Sequence, residues 1–527
     1  MAAVTLAAAS VAGCQRRSGL VSGPDGGAAG RGGTAAAGAG PIPDGGAAGS
    51  AGDAGVSRAF DPGTVGIRRL SDVEYARSVR DLLGLTSLGG DLVASFPDHD
   101  SQGGGLDLFD NLGGGAAISA DRFEAYFRNA VVLVRRAFAS DAVRARLVTC
   151  APANAADDAC ARDILRAFGL RAWRRQLSDD EVADLVALVR ADLTAGDDIS
   201  GALQQAFVSV LVSESFLYRI EHDPPPPDVT VHPLTSYEVA SRLSYLVWSS
   251  TPDDALLALA ASDGLQDPEV LTAQVTRMLA DPRADGLVSN FFGQWLSFRV
   301  LDGPLLDRGT GPWSAAMQAS AAAEARLFVT EIVQGDKSVG ELLTADVNYA
   351  DYLLATLYGF PAPAMPYMLA RTVVTTDARK GYLGLAAFLA VQSEPSEASR
   401  FPRGGAIDRQ LLCLAVPAPP PDVPPVPPPG TPHDQYLALE ASPSCDGCHK
   451  LFEPLGLGLE SFDAIGRFRT TYPDNPAPID ASGALPDGTP FNGLAELADL
   501  LGKDPRVVDC ARREALVYAL GRPLTDA

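Results

Sequence analysis

The sequence predicts a mainly α protein, with two helical domains followed by a small third one. Three observations point there: a repeated helix-start signal, apolar residues at helical spacing behind it, and a scarcity of strand signals. The start signal occurs in "RRLSDVEY" at Arg68, "RRQLSDDEV" at Arg174 and "HPLTSYEV" at His232. Each has Leu, then Ser or Thr, then Glu three residues on, the pattern of a capping box with an apolar residue before the cap. Ser71/Glu74, Ser178/Glu181 and Thr235/Glu238 are each expected to open a helix. Val73, Ala76, Val79, Leu82 and Leu83 then share one helical face, as do Val239, Leu243, Leu246 and Val247. The best short strand candidates are "VTVHPL" at Val229 and "RTVVTTD" at Arg371.

At 527 residues the chain exceeds what one core serves, and 46% apolar residues are enough to fill several. The formal net charge of −23 repels a phosphate backbone, so nucleic acid is not expected as a partner. No apolar run is long enough to span a bilayer, so any membrane contact is expected through an anchor alone.

The N-terminus supplies such an anchor. "MAAVTLAAASVAGC" is a short apolar run ending in Val11, Ala12, Gly13 and Cys14, without a basic residue before it. Small residues before a cysteine suit the cleft of a lipoprotein signal peptidase, and the run resembles a bacterial lipobox with Cys14 as the lipid-bearing residue. The alternative is an Ala-rich tail with a chance cysteine. Residues 15–58 are mostly Gly, Ala, Ser and Pro, too poor in apolar side chain to pack, and read as a tether. A helical domain is expected over 59–222. "PPPPDVTV" from Pro224 marks the start of a second, 223–400. A Pro-rich connector over 401–432 follows, stiffest in "VPAPPPDVPPVPPPGTP", and a last domain over 433–527.

Seven cysteines remain to be placed. With Cys14 lipidated, Cys150 and Cys160 flank one loop and form the natural local pair, leaving Cys413 and Cys510 for each other. Buried free thiols are the alternative for these four.

The other two stand in "SPSCDGCHKLFEPLG", where Cys445, Cys448 and His449 have the spacing C-x-x-C-H. This is the attachment pattern of c-type haem. Each thiol adds to one porphyrin vinyl group, the two intervening residues span the vinyls, and the adjacent imidazole reaches the iron. Covalent haem c is therefore the expected cofactor, with His449 as iron ligand. "HDQYLALEA" before the motif and "PRVVDCARREALVYALG" from Pro505 suit the two helices that bracket a haem module. A second axial ligand is not obvious, because no Met or His follows His449. His433, Met365, Met368, Lys450 and Lys503 are candidates, or the position is open to a small oxidant. Two further alternatives are a plain disulfide and a metal site with Cys510 as an added ligand. A thioredoxin-like site would need a strand before the motif.

"CDGCHKLFEPLGLGLESFDAIGRFRT", "PIDASGALPDG" and "ALVYALGRPLT" resemble the C-terminal cytochrome c-like modules of large exported planctomycete and myxobacterial proteins built of domains of unknown function. "IRRLSDVEYARSVRDLLGL", "FGLRAWRRQLSDDE", "LTSYEVASRLSYLVWSSTPDDALL" and "NYADYLLATLYG" resemble their helical modules, so the likeness spans nearly all of 66–527. It implies export and supports haem at Cys445, Cys448 and His449, but implies no reaction. The chain departs from the family pattern at Phe452 and Glu453, where a Met-Asp pair often stands.

Arg467 and Arg469 are candidates to pair with haem propionates; solvated arginines are the alternative. "PDHDSQGGG" at Pro97 has a faint calcium-loop look but lacks the last acidic ligand, so a polar turn is expected. The four tryptophans are expected in cores. Zinc protease, serine hydrolase and P-loop motifs are absent. Two functions follow. One is an exported, lipid-anchored haem protein, facing periplasm or cell surface, that exchanges electrons with a redox partner or reacts with a small oxidant. The other is a haem-free protein that binds a partner at the cell surface.

Overall fold

The computed structural model of the chain describes residues 16–17, 66–86, 96, 109–113, 117–150, 158–221, 231–309, 311–375, 378–395, 398–415, 429–442, 445–473 and 475–524. Helix makes up 61% of them and strand 7%, so the fold is mainly α. Cys14, most of the tether, the Pro97 turn, the Pro224 run and the core of the Pro-rich connector lie outside the described residues.

The first unit is built from α1 (Asp72–Leu83), α2 (Ala120–Ala139), α3 (Asp158–Trp173), α4 (Asp179–Ala195) and α5 (Ile199–Leu211). Ser71 Oγ accepts from Glu74 N, and Ser71 N donates to the Glu74 carboxylate at 3.0 Å, the reciprocal bonds of a capping box. Ser178 and Glu181 do the same at α4. The buried face of α1 differs from the expected one: Glu74, Tyr75 and Ser78 are buried, while Val73 and Ala76 are half exposed. Glu74 turns inward because Arg219 pairs with it at 3.3 Å, and Tyr75 fills an aromatic cluster with Phe96, Tyr126 and Phe216.

The second unit opens with α6 (Ser236–Trp248), capped by Thr235 and Glu238. Val239, Leu243, Leu246 and Val247 are all buried, as the spacing predicts. It continues through α7 (Asp254–Ala261), α8 (Pro268–Ala280), α9 (Ala315–Gln334), α10 (Arg400–Ala406), α11 (Pro432–Glu440), α12 (Asp446–Leu457), α13 (Gly493–Leu501) and α14 (Pro505–Leu520). Trp248, Trp295 and Trp313 are core residues; Trp173, in the first unit, is half buried with Nε1 donating to Ser213 Oγ at 2.8 Å.

Among the described residues, strands occur only as two-stranded antiparallel pairs. They are β1 (Arg16–Arg17) with β4 (Val231–His232), β2 (Arg68–Arg69) with β3 (Tyr218–Arg219), and β5 (Val347–Ala350) with β6 (Ala370–Val373). Two more join β7 (Thr471–Tyr472) to β8 (Asn475–Pro478) and β9 (Ser482–Ala484) to β10 (Pro490–Asn492).

Two features lie at the expected domain bounds. Residues 400–411, placed in or next to the connector, are helical, and Ala406, Ile407 and Leu411 are buried. The last segment also shares the core of the second unit, which runs continuously through Leu243, Phe328, Ile407, Leu455, Leu497 and Tyr518. The reason lies in α14. Instead of closing over the C-x-x-C-H helix, it packs mainly on α6 and the π-turn Ile407–Leu411. Tyr518 packs edge-on against Phe109 and at a tilt against Phe291, and Cys510 is tied to Cys413. The end of α14 also docks on the first unit: Asn111 Nδ2 donates to Tyr518 O at 2.9 Å, and Gly113 N to Gly521 O at 2.8 Å.

Candidate functional site

Both expected disulfides are present, Cys150–Cys160 and Cys413–Cys510. Cys445 and Cys448 stand outside any disulfide, half buried at the first turn of α12. Cys448 N and His449 N both donate to Cys445 O, at 3.2 and 3.1 Å, so a single tight turn gathers the two thiols and the imidazole. Cys510 belongs to its disulfide, which removes the fourth ligand from the zinc alternative. The element before the motif is α11, a helix, so the strand that a thioredoxin-like site needs is not there.

A pair of helices holds this turn in place. α10 crosses α12 at glycine contacts from both sides. A Cβ on Gly404 would overlap the Phe452 carbonyl oxygen, and one on Gly456 would overlap that of Arg400. The approach puts Arg400 beside Glu453: Arg400 Nε donates to Glu453 Oε2 at 2.6 Å, with the two side chains 6% and 0% exposed. Glu453 Oε1 bonds His449 Nδ1 one helical turn earlier. Each carboxylate oxygen thus has a donor, and an acceptor at Nδ1 leaves the lone pair on Nε2. Arg400 is steadied in turn. Its Nη1 donates to Gln435 Oε1 on α11 at 3.1 Å, and its guanidinium lies 4.3 Å over the Phe401 ring. Phe401 and Phe452 flank the imidazole, each with ring centroids 5.8 Å from it.

Arg403, one turn after Arg400, is fully buried and binds the chain beyond α12. It donates to Leu459 O and Phe462 O at 2.9 Å and to Asp463 O at 2.7 Å. Burial pushes its guanidinium down to about 10, still charged at neutral pH.

The sequence reading missed Arg400, Gln435 and Glu453. Glu453 had a signal, since it follows His449 by four residues on a helix. Arg400 had none, because it lies 53 residues from Glu453 in sequence. Arg467 is exposed, and its main-chain N–H donates to Asp463 Oδ1 at 2.8 Å. Arg469 is engaged with Glu460, through the carbonyl at 3.2 Å and the carboxylate at 3.4 Å. Of the sixth-ligand candidates, His433 faces Asp480 at 3.6 Å and Lys450 pairs with Asp446 at 2.9 Å. Met365 and Met368 are exposed before β6, and Lys503 is exposed after α13.

A cavity of about 220 Å³ lies elsewhere, at the junction of the two units, lined by Trp173, Arg174, Arg175, Arg219, Glu221 and Tyr237 among others. Its arginines are largely committed. Arg175 makes two bonds to Glu181, at 2.9 and 2.7 Å, and Arg174 donates to the carbonyls of Ser215 and Tyr218.

Five family models match the chain in succession, each described as a protein of unknown function: DUF1587 over 68–139, DUF1595 over 160–221, DUF1592 over 234–360, DUF1588 over 379–472 and DUF1585 over 487–527. No curated protein and no solved structure matches it. The fourth match takes in Arg400, His449 and Glu453 together, and the fifth takes in α13 and α14, so the region after 433 divides between two families. The chain is thus a multi-domain protein assembled from five consecutive modules of families of unknown function.

Proposed function

We propose that this is an exported, lipid-anchored protein that carries covalent haem c on Cys445, Cys448 and His449 and acts in redox chemistry or electron transfer. The observation that carries the reading is the company of His449. The imidazole shares one turn with two thiols, and its Nδ1 is bonded to a buried, arginine-paired carboxylate. Ligating histidines regularly give their second ring nitrogen such a partner, which sets the tautomer and strengthens the ligating nitrogen. The donor set fits the group. Cys445 and Cys448 would form the thioethers, His449 would bind iron through Nε2, and Phe401 and Phe452 would keep water from the imidazole. Bound there, haem supplies a one-electron iron couple. Exposed Arg467 is available to a propionate, whereas Arg469 would first have to leave Glu460. Two disulfides suit an oxidising compartment, in keeping with an outer-membrane lipoprotein facing the periplasm or cell surface. The partner would be a redox protein or a small oxidant.

A second reading, a haem-free surface-binding or scaffold protein, is favoured by one observation: Leu455, Leu457 and Leu459 are already fully buried and Phe462 nearly so, so this core is filled by protein alone. A pyridine haemochrome spectrum of the mature chain, made in a host with c-type maturation, separates the two. A c-type α band that disappears in Cys445→Ala/Cys448→Ala supports the haem protein. No band, beside a control cytochrome that matures normally, leaves the scaffold.

A further inference from the structure

Glu453 occupies a position that packing alone does not explain. It is fully buried beneath the first turn of α12, and its two oxygens point to different elements: Oε2 to Arg400 on α10, Oε1 to His449 Nδ1 on its own helix. Gln435 brings in a third helix by holding Arg400 from α11. Three helices therefore converge on the buried Glu453–Arg400 pair that holds His449 Nδ1.

We propose that Glu453 is a positioning residue for His449, held in place by Arg400, which fixes the imidazole with its proton on Nδ1 and makes Nε2 an electron-rich ligand. This rests on the haem reading. A backbone carbonyl at Nδ1 would be a neutral acceptor. A carboxylate is anionic, so its bond is charge-assisted and draws the proton further from the ring. The added electron density at Nε2 favours the more positive, oxidised iron, so the arrangement sets a low reduction potential. Arg400 keeps the carboxylate from standing as an uncompensated buried charge. A purely structural pair would pin α10 to α12 without affecting the potential, and that difference is measurable.

The test is the midpoint potential of the haem-loaded full chain, in wild type, Glu453→Gln and Glu453→Gln/Arg400→Gln. Glutamine keeps an oxygen at Nδ1 and removes the charge. The double variant removes both charges and carries the test where the single one leaves Arg400 unpaired and fails to fold. The inference predicts that reduction becomes easier by about tenfold or more, the scale of such supporting contacts, or ~59 mV upward for one electron, with haem still attached. Haem-loaded variants with the wild-type potential would overturn the inference and leave the haem reading intact. A wild-type chain without haem would overturn both.

Discussion

Removing the Cys413–Cys510 disulfide should cost the second unit more than removing Cys150–Cys160 costs the first, and the gap follows from chain length. The two bridges close separations of 97 and 10 residues. Loop-closure entropy in the unfolded chain scales with the logarithm of loop length, which makes the long bridge worth about 4.7 kcal/mol and the short one about 2.7 kcal/mol at 25 °C. The ~2 kcal/mol difference is the quantity to test. The perturbations are Cys413→Ala/Cys510→Ala and Cys150→Ala/Cys160→Ala, since alanine adds no polar group to either core. Urea unfolding followed by tryptophan fluorescence reads both units. Trp295 Nε1 donates to Gln410 O at 2.6 Å, and Cys510 Sγ lies 3.4 Å from the same oxygen, so this indole reports on the long bridge. Trp173 reports on the first unit. The long bridge also closes the chain around α12, so, if the proposed haem is bound there, its loss should lower haem incorporation. Equal losses for the two variants, or a larger one for Cys150→Ala/Cys160→Ala, would show that loop length does not set the gap.

Other outcomes can be stated as directly. Gly404→Ala and Gly456→Ala should each destabilise the second unit by ~1–3 kcal/mol through overpacking of the α10–α12 crossing, whereas Gly447→Ala, with open space around it, should not; thermal unfolding compares them. Burial pushes Asp408 and Glu514 up to about 7 and Glu324 up to about 8. All three keep protons in the folded state that the unfolded chain releases once pH passes the ordinary carboxylate range. Stability is therefore full below about pH 4 for these groups and falls as pH rises toward 8. Asp408, with neither carboxylate oxygen partnered, is the cleanest case. Asp408→Asn should shrink the loss between pH 4 and pH 8 by on the order of 4 kcal/mol, and an unchanged pH profile in denaturant unfolding would count against it. Thr235→Ala should cost ~1 kcal/mol by removing the cap of α6, read as a shift in the urea midpoint.

What local chemistry decides was legible in the sequence. Three capping boxes opened three helices, the face of α6 was read from its spacing, and both disulfides followed from cysteine arithmetic. What depends on distant partners was not. The face of α1 turned because Arg219 draws Glu74 inward. α10 was hidden because its seven residues carry two arginines, two glycines and a proline, a composition that reads as connector until a second helix crosses it. The docking of α14 was hidden for a related reason, since an amphipathic helix does not announce which core it will join. At the site, C-x-x-C-H and the neighbouring Glu453 were local, and Arg400 and Gln435 were not.

Whether Cys445 and Cys448 carry haem is read from the intact mass of the chain, produced behind a cleavable export signal in place of residues 1–14 so that no lipid adds to it, in a host with c-type maturation. Haem attachment gives the polypeptide plus one haem, resistant to acid extraction and absent from Cys445→Ser/Cys448→Ser. A mass equal to the bare polypeptide, or one lower by the two hydrogens of a Cys445–Cys448 disulfide, would contradict it.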